Sequence, residues 1–97
     1  MMTLLLWETN DSLMPSDKEE RGKLIMSMLE MVKKDLEGGG IKLWGVSAGG
    51  GSGFSISERD AKGLFERTAM YAPYVKFKVK PMLSVDEAIE VFKGMQR

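Results

Sequence analysis

Ninety-seven residues set the scale of one domain, and at that size folding hides only about two thirds of the unfolded chain's surface, so the core is modest. Apolar residues at 43% against charged ones at 29% exclude intrinsic disorder, and fourteen basic residues balanced by fourteen acidic ones exclude a global field toward nucleic acid or an anionic membrane. The lack of cysteine and histidine removes disulfides, thiolate nucleophiles, zinc–thiolate sites and the commonest general base.

The chain opens on an apolar run, Met1 to Trp7, with no basic residue ahead of it. It meets Glu8 far short of the ~20 apolar residues of a membrane span, so a soluble, cytoplasmic protein is the expectation. Residues 3–8 are apolar on both faces, as in the centre of a sheet. Ser16 with Glu19 three positions on forms a capping box, and the helix it starts runs to about Glu37. Leu24, Ile25, Met28, Leu29, Val32 and Leu36 form its apolar stripe, with Met26 and Met31 flanking it as contact residues. Gly38-Gly39-Gly40 ends it.

Residues 41–47 and 53–57 read as two strands joined by the turn Gly49-Gly50-Gly51-Ser52. The alternation puts Leu43, Phe54 and Ile56 toward the helices and leaves Ser55 and Ser57 exposed. Lys42 and Trp44 fall on the open face by the same count, whereas Trp7 is expected under the helices. Asp60 caps a second helix that buries Ala61, Leu64, Phe65, Thr68 and Ala69, with Gly63 costing about 1 kcal/mol relative to Ala. Ala72-Pro73 stops it. Residues 74–80 alternate most clearly, with Val75, Phe77 and Val79 on one face and Lys76, Lys78 and Lys80 on the other. After Pro81, Ser84 and Glu87 make a second capping box, and a third helix is expected to bury Val85, Ala88, Ile89 and Phe92.

The order is strand, helix, strand, strand, helix, strand, helix. It predicts an α+β protein on the ferredoxin-like βαββαβ plan with an additional C-terminal helix, one domain over residues 1–97 and the first and third strands central. The run from Gly49 through Phe54-Ser55-Ile56-Ser57-Glu58, the helix end Tyr71-Ala72-Pro73-Tyr74, and Phe77 to Pro81 followed by Asp86-Glu87-Ala88 carry a resemblance over the C-terminal half. They resemble a family of small uncharacterised proteins in the dimeric α+β barrel superfamily, although the Met-rich first helix and the lysines of the last strand depart from its pattern. The resemblance implies a homodimer with two ferredoxin-like sheets facing each other, and it brings no activity with it.

The glycine-rich turn is followed by a strand, not a helix, so it reads as a plain reversal and not as a phosphate loop. Lys76, Lys78 and Lys80 read as edge-strand protection, or as cations in a barrel that need a partner such as Glu8 or a bound anion. Trp44 reads as a dimer anchor or a ligand-stacking ring. Glu19-Glu20 and Asp86-Glu87 read as helix-start charges. The candidate ligand set is Glu8, Lys42, Trp44, Ser55, Lys76 and Lys78, for a small anionic or aromatic molecule on the open sheet face, with no cofactor or metal and no catalytic residue assigned. A cofactor-free oxygenase- or isomerase-like enzyme would have to use Glu8, Lys76 or Tyr74 as proton carrier. Single-stranded RNA binding on the sheet would need an aromatic platform that this facing removes, so nucleic acid is not expected.

Overall fold

The computed structural model describes residues 2–96; Met1 and Arg97, which the one-domain expectation includes, lie outside the described residues. The elements are β1 Met2–Thr9, a 3-10 turn Asp11–Leu13, α1 Lys18–Glu37, β2 Leu43–Val46, β3 Ser52–Ser57, α2 Ala61–Ala69, β4 Val75–Met82 and α3 Val85–Met95. The strands form one antiparallel sheet in the order β2-β3-β1-β4, which puts doubly apolar β1 in the interior. β1 pairs with β3 from Thr3 opposite Ser57 to Glu8 opposite Ser52, and with β4 from Met2 opposite Met82 to Thr9 opposite Val75. Edge strand β4 runs on through Pro81, because a proline that has no N–H to give is tolerated where no further strand needs one.

Local chemistry fixes the element ends. α1 is capped by Asp17 and not by Ser16: the Asp17 carboxylate accepts from Glu20 N at 3.1 Å. Both residue types cap well, and a carboxylate also complements the positive end of the helix. Asp60 accepts from Gly63 N at 2.8 Å to open α2, which stops at Ala69, ahead of the expected Pro73. Ser84 and Glu87 form the reciprocal capping box of α3. Gly50 and Gly51 take φ of 75° and 79°, and this reversal is closed by Gly50 N donating to Ser47 O at 2.8 Å.

The pleat corrects the predicted facing of the hairpin. Ser55 and Ser57 are buried, and Trp44 shares their face, because Trp44 stands opposite Ser55, which stands opposite buried Leu5. Phe54 and Ile56 therefore turn to the far side with Leu4, Leu6 and the lysines of β4. The physical reason is volume. The helix-facing side already carries two indoles, so β3 beneath them must be small, and a Cβ on Gly53 would meet the Trp7 ring at 2.6 Å. Hydrophobicity alone would have chosen Phe54 and Ile56 for that side.

Few side chains are fully hidden: among the described residues Leu5, Met14, Val32, Leu64 and Tyr71 are the buried apolar ones. Of the α1 stripe, Val32 is buried, Leu24 and Met28 are half-buried, and Ile25, Leu29 and Leu36 stay partly exposed. Phe65 of α2, expected inside, is exposed. α3 differs most from expectation, since it contributes no buried residue, and Val85, Ile89 and Phe92 all face solvent. The molecule is accordingly elongated, 61 × 25 × 24 Å. Among the described residues no helix is long and apolar enough to cross a membrane.

Candidate functional site

Between the sheet and the helices α1 and α2 lies a cavity of about 310 Å³. Its floor comes from alternate residues of all four strands, namely Leu5 and Trp7 of β1, Ser55 of β3, Trp44 of β2 and Phe77 of β4. Ile25, Met28, Leu29 and Val32 of α1, one turn apart along its stripe, form the roof with Leu64 of α2. A cavity of this volume falls at the lower end of small-ligand pockets, about 300–1,000 Å³.

The aromatic floor is built across three strands. Trp7 and Trp44 stack with centroids 5.5 Å apart and planes 11° from parallel, although β3 runs between their strands. Gly53, opposite Trp7, makes this feasible because it raises no side chain between the rings. Tyr71 meets Phe77 edge-on at 5.9 Å, the preferred arrangement for two ring quadrupoles. Among the described residues the Trp7 Nε1 donor is buried without a hydrogen-bond partner.

At the Ser57 end the lining turns polar. Asp35, buried on α1, accepts on one carboxylate oxygen from Arg59 at 3.1 Å, and Arg67 forms an ion pair with the same oxygen at 3.1 Å. Two guanidinium groups thus share one carboxylate, leaving a surplus of positive charge beside an apolar chamber. Arg59 is held from behind as well: Arg59 N donates to Ser57 Oγ at 3.2 Å, and Ser57 Oγ donates to Gly40 O at 2.9 Å. A side chain on Gly40 would run into the Arg59 guanidinium, so the glycine run after α1 makes room for this arginine as well as ending the helix. Tyr71 lines the same end, and burial, followed by the Asp35 charge, raises its phenol above the ordinary value against the pull of Arg67 and Arg59. It is therefore a neutral hydrogen-bonding group at physiological pH. At the opposite end, the glycine turn is tied to β1 by Thr9 N donating to Gly51 O at 2.8 Å.

The six residues predicted from sequence do not form one site. Trp44 and Ser55 line this cavity. Glu8, opposite Lys76 in register, and Lys78, opposite Leu6, lie on the other side of the sheet, and all three charged residues are exposed. Lys42 pairs with Glu58 at 3.6 Å, outside the cavity lining. The proton carriers suggested for an enzyme, Glu8, Lys76 and Tyr74, are likewise not among the lining residues. Sequence reasoning missed Asp35, Arg59, Arg67 and Tyr71 as site residues, because they are scattered along the chain and share no spacing that marks a site. One signal was present for Asp35: it continues the spacing of Met28 and Val32, an acidic residue in phase with an apolar stripe.

No curated protein matches the chain. Residues 2–96 match a family described as Domain of unknown function (DUF3303).

Proposed function

The chain belongs to the DUF3303 family, and we propose that it binds a small aromatic molecule with one acidic group in the cavity between its sheet and helices. The observation that carries this reading is the coupling of an apolar, indole-floored chamber to a carboxylate shared by two arginines. A ring system would lie against Trp7 and Trp44. Its carboxylate or phenolate would accept from Arg67, the more exposed of the two guanidiniums, and from Tyr71. A cavity of about 150 Å³ already holds benzene, so one twice that size takes a fused bicyclic ring. This moves the ligand expected on the open face to the opposite side of the sheet, keeping Trp44 and Ser55 and replacing the lysines with arginines.

Two finer readings belong to the same proposal. The strand order and the helices between strands support a ferredoxin-like plan, and the sheet face opposite the cavity supports a homodimer. That face is apolar along its middle, with Leu4, Leu6, Phe54 and Ile56, and is edged by Lys76, Lys78 and Lys80, a surface on which a second sheet would pack.

Because both tryptophans of the chain line the cavity, their fluorescence reports binding directly. Titration with 2-naphthoate is expected to quench it, with naphthalene binding at least tenfold more weakly. Trp44→Ala should weaken binding, read from the remaining Trp7 emission, and Arg67→Met brings the affinity for naphthoate down to that for naphthalene. No spectral change up to millimolar naphthoate would refute the proposal.

A further inference from the structure

We infer that α3 is an exchange arm, docking its apolar ridge into a groove on a second copy of this chain. Three observations on the single chain converge. The first is the helix itself: Val85, Ile89 and Phe92 recur at helical spacing and are 74%, 46% and 63% exposed, as are the adjoining Leu83 and Met95. Helices of this length do not hold in water on propensity alone; they need a surface for their apolar face.

The second is an empty receptor. A groove of about 260 Å³ runs between α2 and the β1–β4 side of the sheet, lined by Thr3, Ala61, Leu64, Phe65, Val79 and Pro81, together with Thr68. Ala61, Leu64, Phe65 and Thr68 are themselves a helical ridge, and Phe65 is 76% exposed. A helix laid beside α2 would cover this ridge and the outer strand β4, completing the helical layer over the sheet.

The third is area. A helix of eleven residues is about 16 Å long and about 10 Å across, so half its surface is about 250 Å². Helix and groove in both copies of a reciprocal exchange then bury about 1,000 Å², before Met82 and Leu83 are included, which is where specific interfaces begin.

The inference rests on the homodimer reading and adds its contact. The natural chain has no cysteine, so single-cysteine variants give a clean test. Phe65→Cys and Ile89→Cys proteins are mixed and treated with a short bismaleimide, while light scattering gives the mass of the wild type and of Phe92→Asp. The expected results are a dimeric wild type, cross-linked dimers in the mixture, and a Phe92→Asp protein of half the mass with its circular dichroism retained. A dimer that survives Phe92→Asp without cross-links overturns the exchange and leaves the homodimer standing. A monomeric wild type overturns both. Cross-linking only within one chain, in a Phe65→Cys/Ile89→Cys double variant, places α3 on its own groove and also overturns the exchange.

Discussion

Asp35→Ala tests whether the shared carboxylate organises the polar end of the cavity. Removing one partner of a buried ion pair costs about 3–5 kcal/mol when the remaining charge stays buried. Asp35 is 7% exposed, but Arg59 and Arg67 are 25% and 39% exposed and turn toward water once released. The expected loss is therefore about 2–3 kcal/mol, the part due to one charge-assisted hydrogen bond, a second ion pair and unsatisfied neighbours. For a domain of this size that lowers Tm by about 10–20 °C. Urea unfolding followed by tryptophan fluorescence measures the difference. Asp35→Asn, which keeps an acceptor oxygen without the charge, should lose about half as much. In an Arg59→Met/Arg67→Met background, Asp35→Ala should cost less than in the wild type, and the difference is the coupling energy of groups acting together. An Asp35→Ala protein within about 0.5 kcal/mol of wild type would refute the reasoning, since that is the range of an ordinary surface substitution.

Three further outcomes follow from particular residues. Gly53→Ala should cost about 1–3 kcal/mol by overpacking, because its Cβ meets the Gly45 carbonyl and the Trp7 ring; equilibrium unfolding and the near-ultraviolet circular dichroism of the indole pair would show it. Tyr71 has a raised folded pKa, so its contribution is complete below the phenol's ordinary value of about 10 and is lost as pH rises through the folded value. Unfolding midpoints from pH 8 to 11 should fall in wild type and flatten in Tyr71→Phe. Glu87 is shifted the other way, chiefly by the hydrogen bond from Ser84 N and then by that from Ser84 Oγ. The α3 cap is therefore complete above about 4.5 and loosens as pH falls through the depressed value; amide exchange at the start of α3 should rise there in wild type and vary less with pH in Glu87→Gln.

The elements were legible because their signals are local. Ser84 and Glu87 lie three residues apart, and the cap they form depends on nothing distant. The glycine turn and the lysine alternation of β4 are equally self-contained. Facing was not legible, because a two-residue period gives two opposite assignments and hydrophobicity favours Phe54 and Ile56 inside. What decided the matter was the bulk of Trp7, contributed by a strand far away in sequence. The candidate site was hidden for the same reason, since Asp35, Arg59 and Arg67 meet only after the helices fold over the sheet. For α3 the apolar spacing was legible, but Val85, Ile89 and Phe92 are exposed, and periodicity alone does not say whether a ridge is covered.

The indole pair reports more than ligand. Two chromophores 5.5 Å apart couple electronically, and here they sit on strands that are not neighbours. Sliding β2 one residue past β3 would send Trp44 through the sheet and uncouple the pair, whereas losing a helix would not. The coupled band is thus a gauge of strand alignment, and followed during refolding it would time the zipping of β2, β3 and β1 separately from the arrival of the helices.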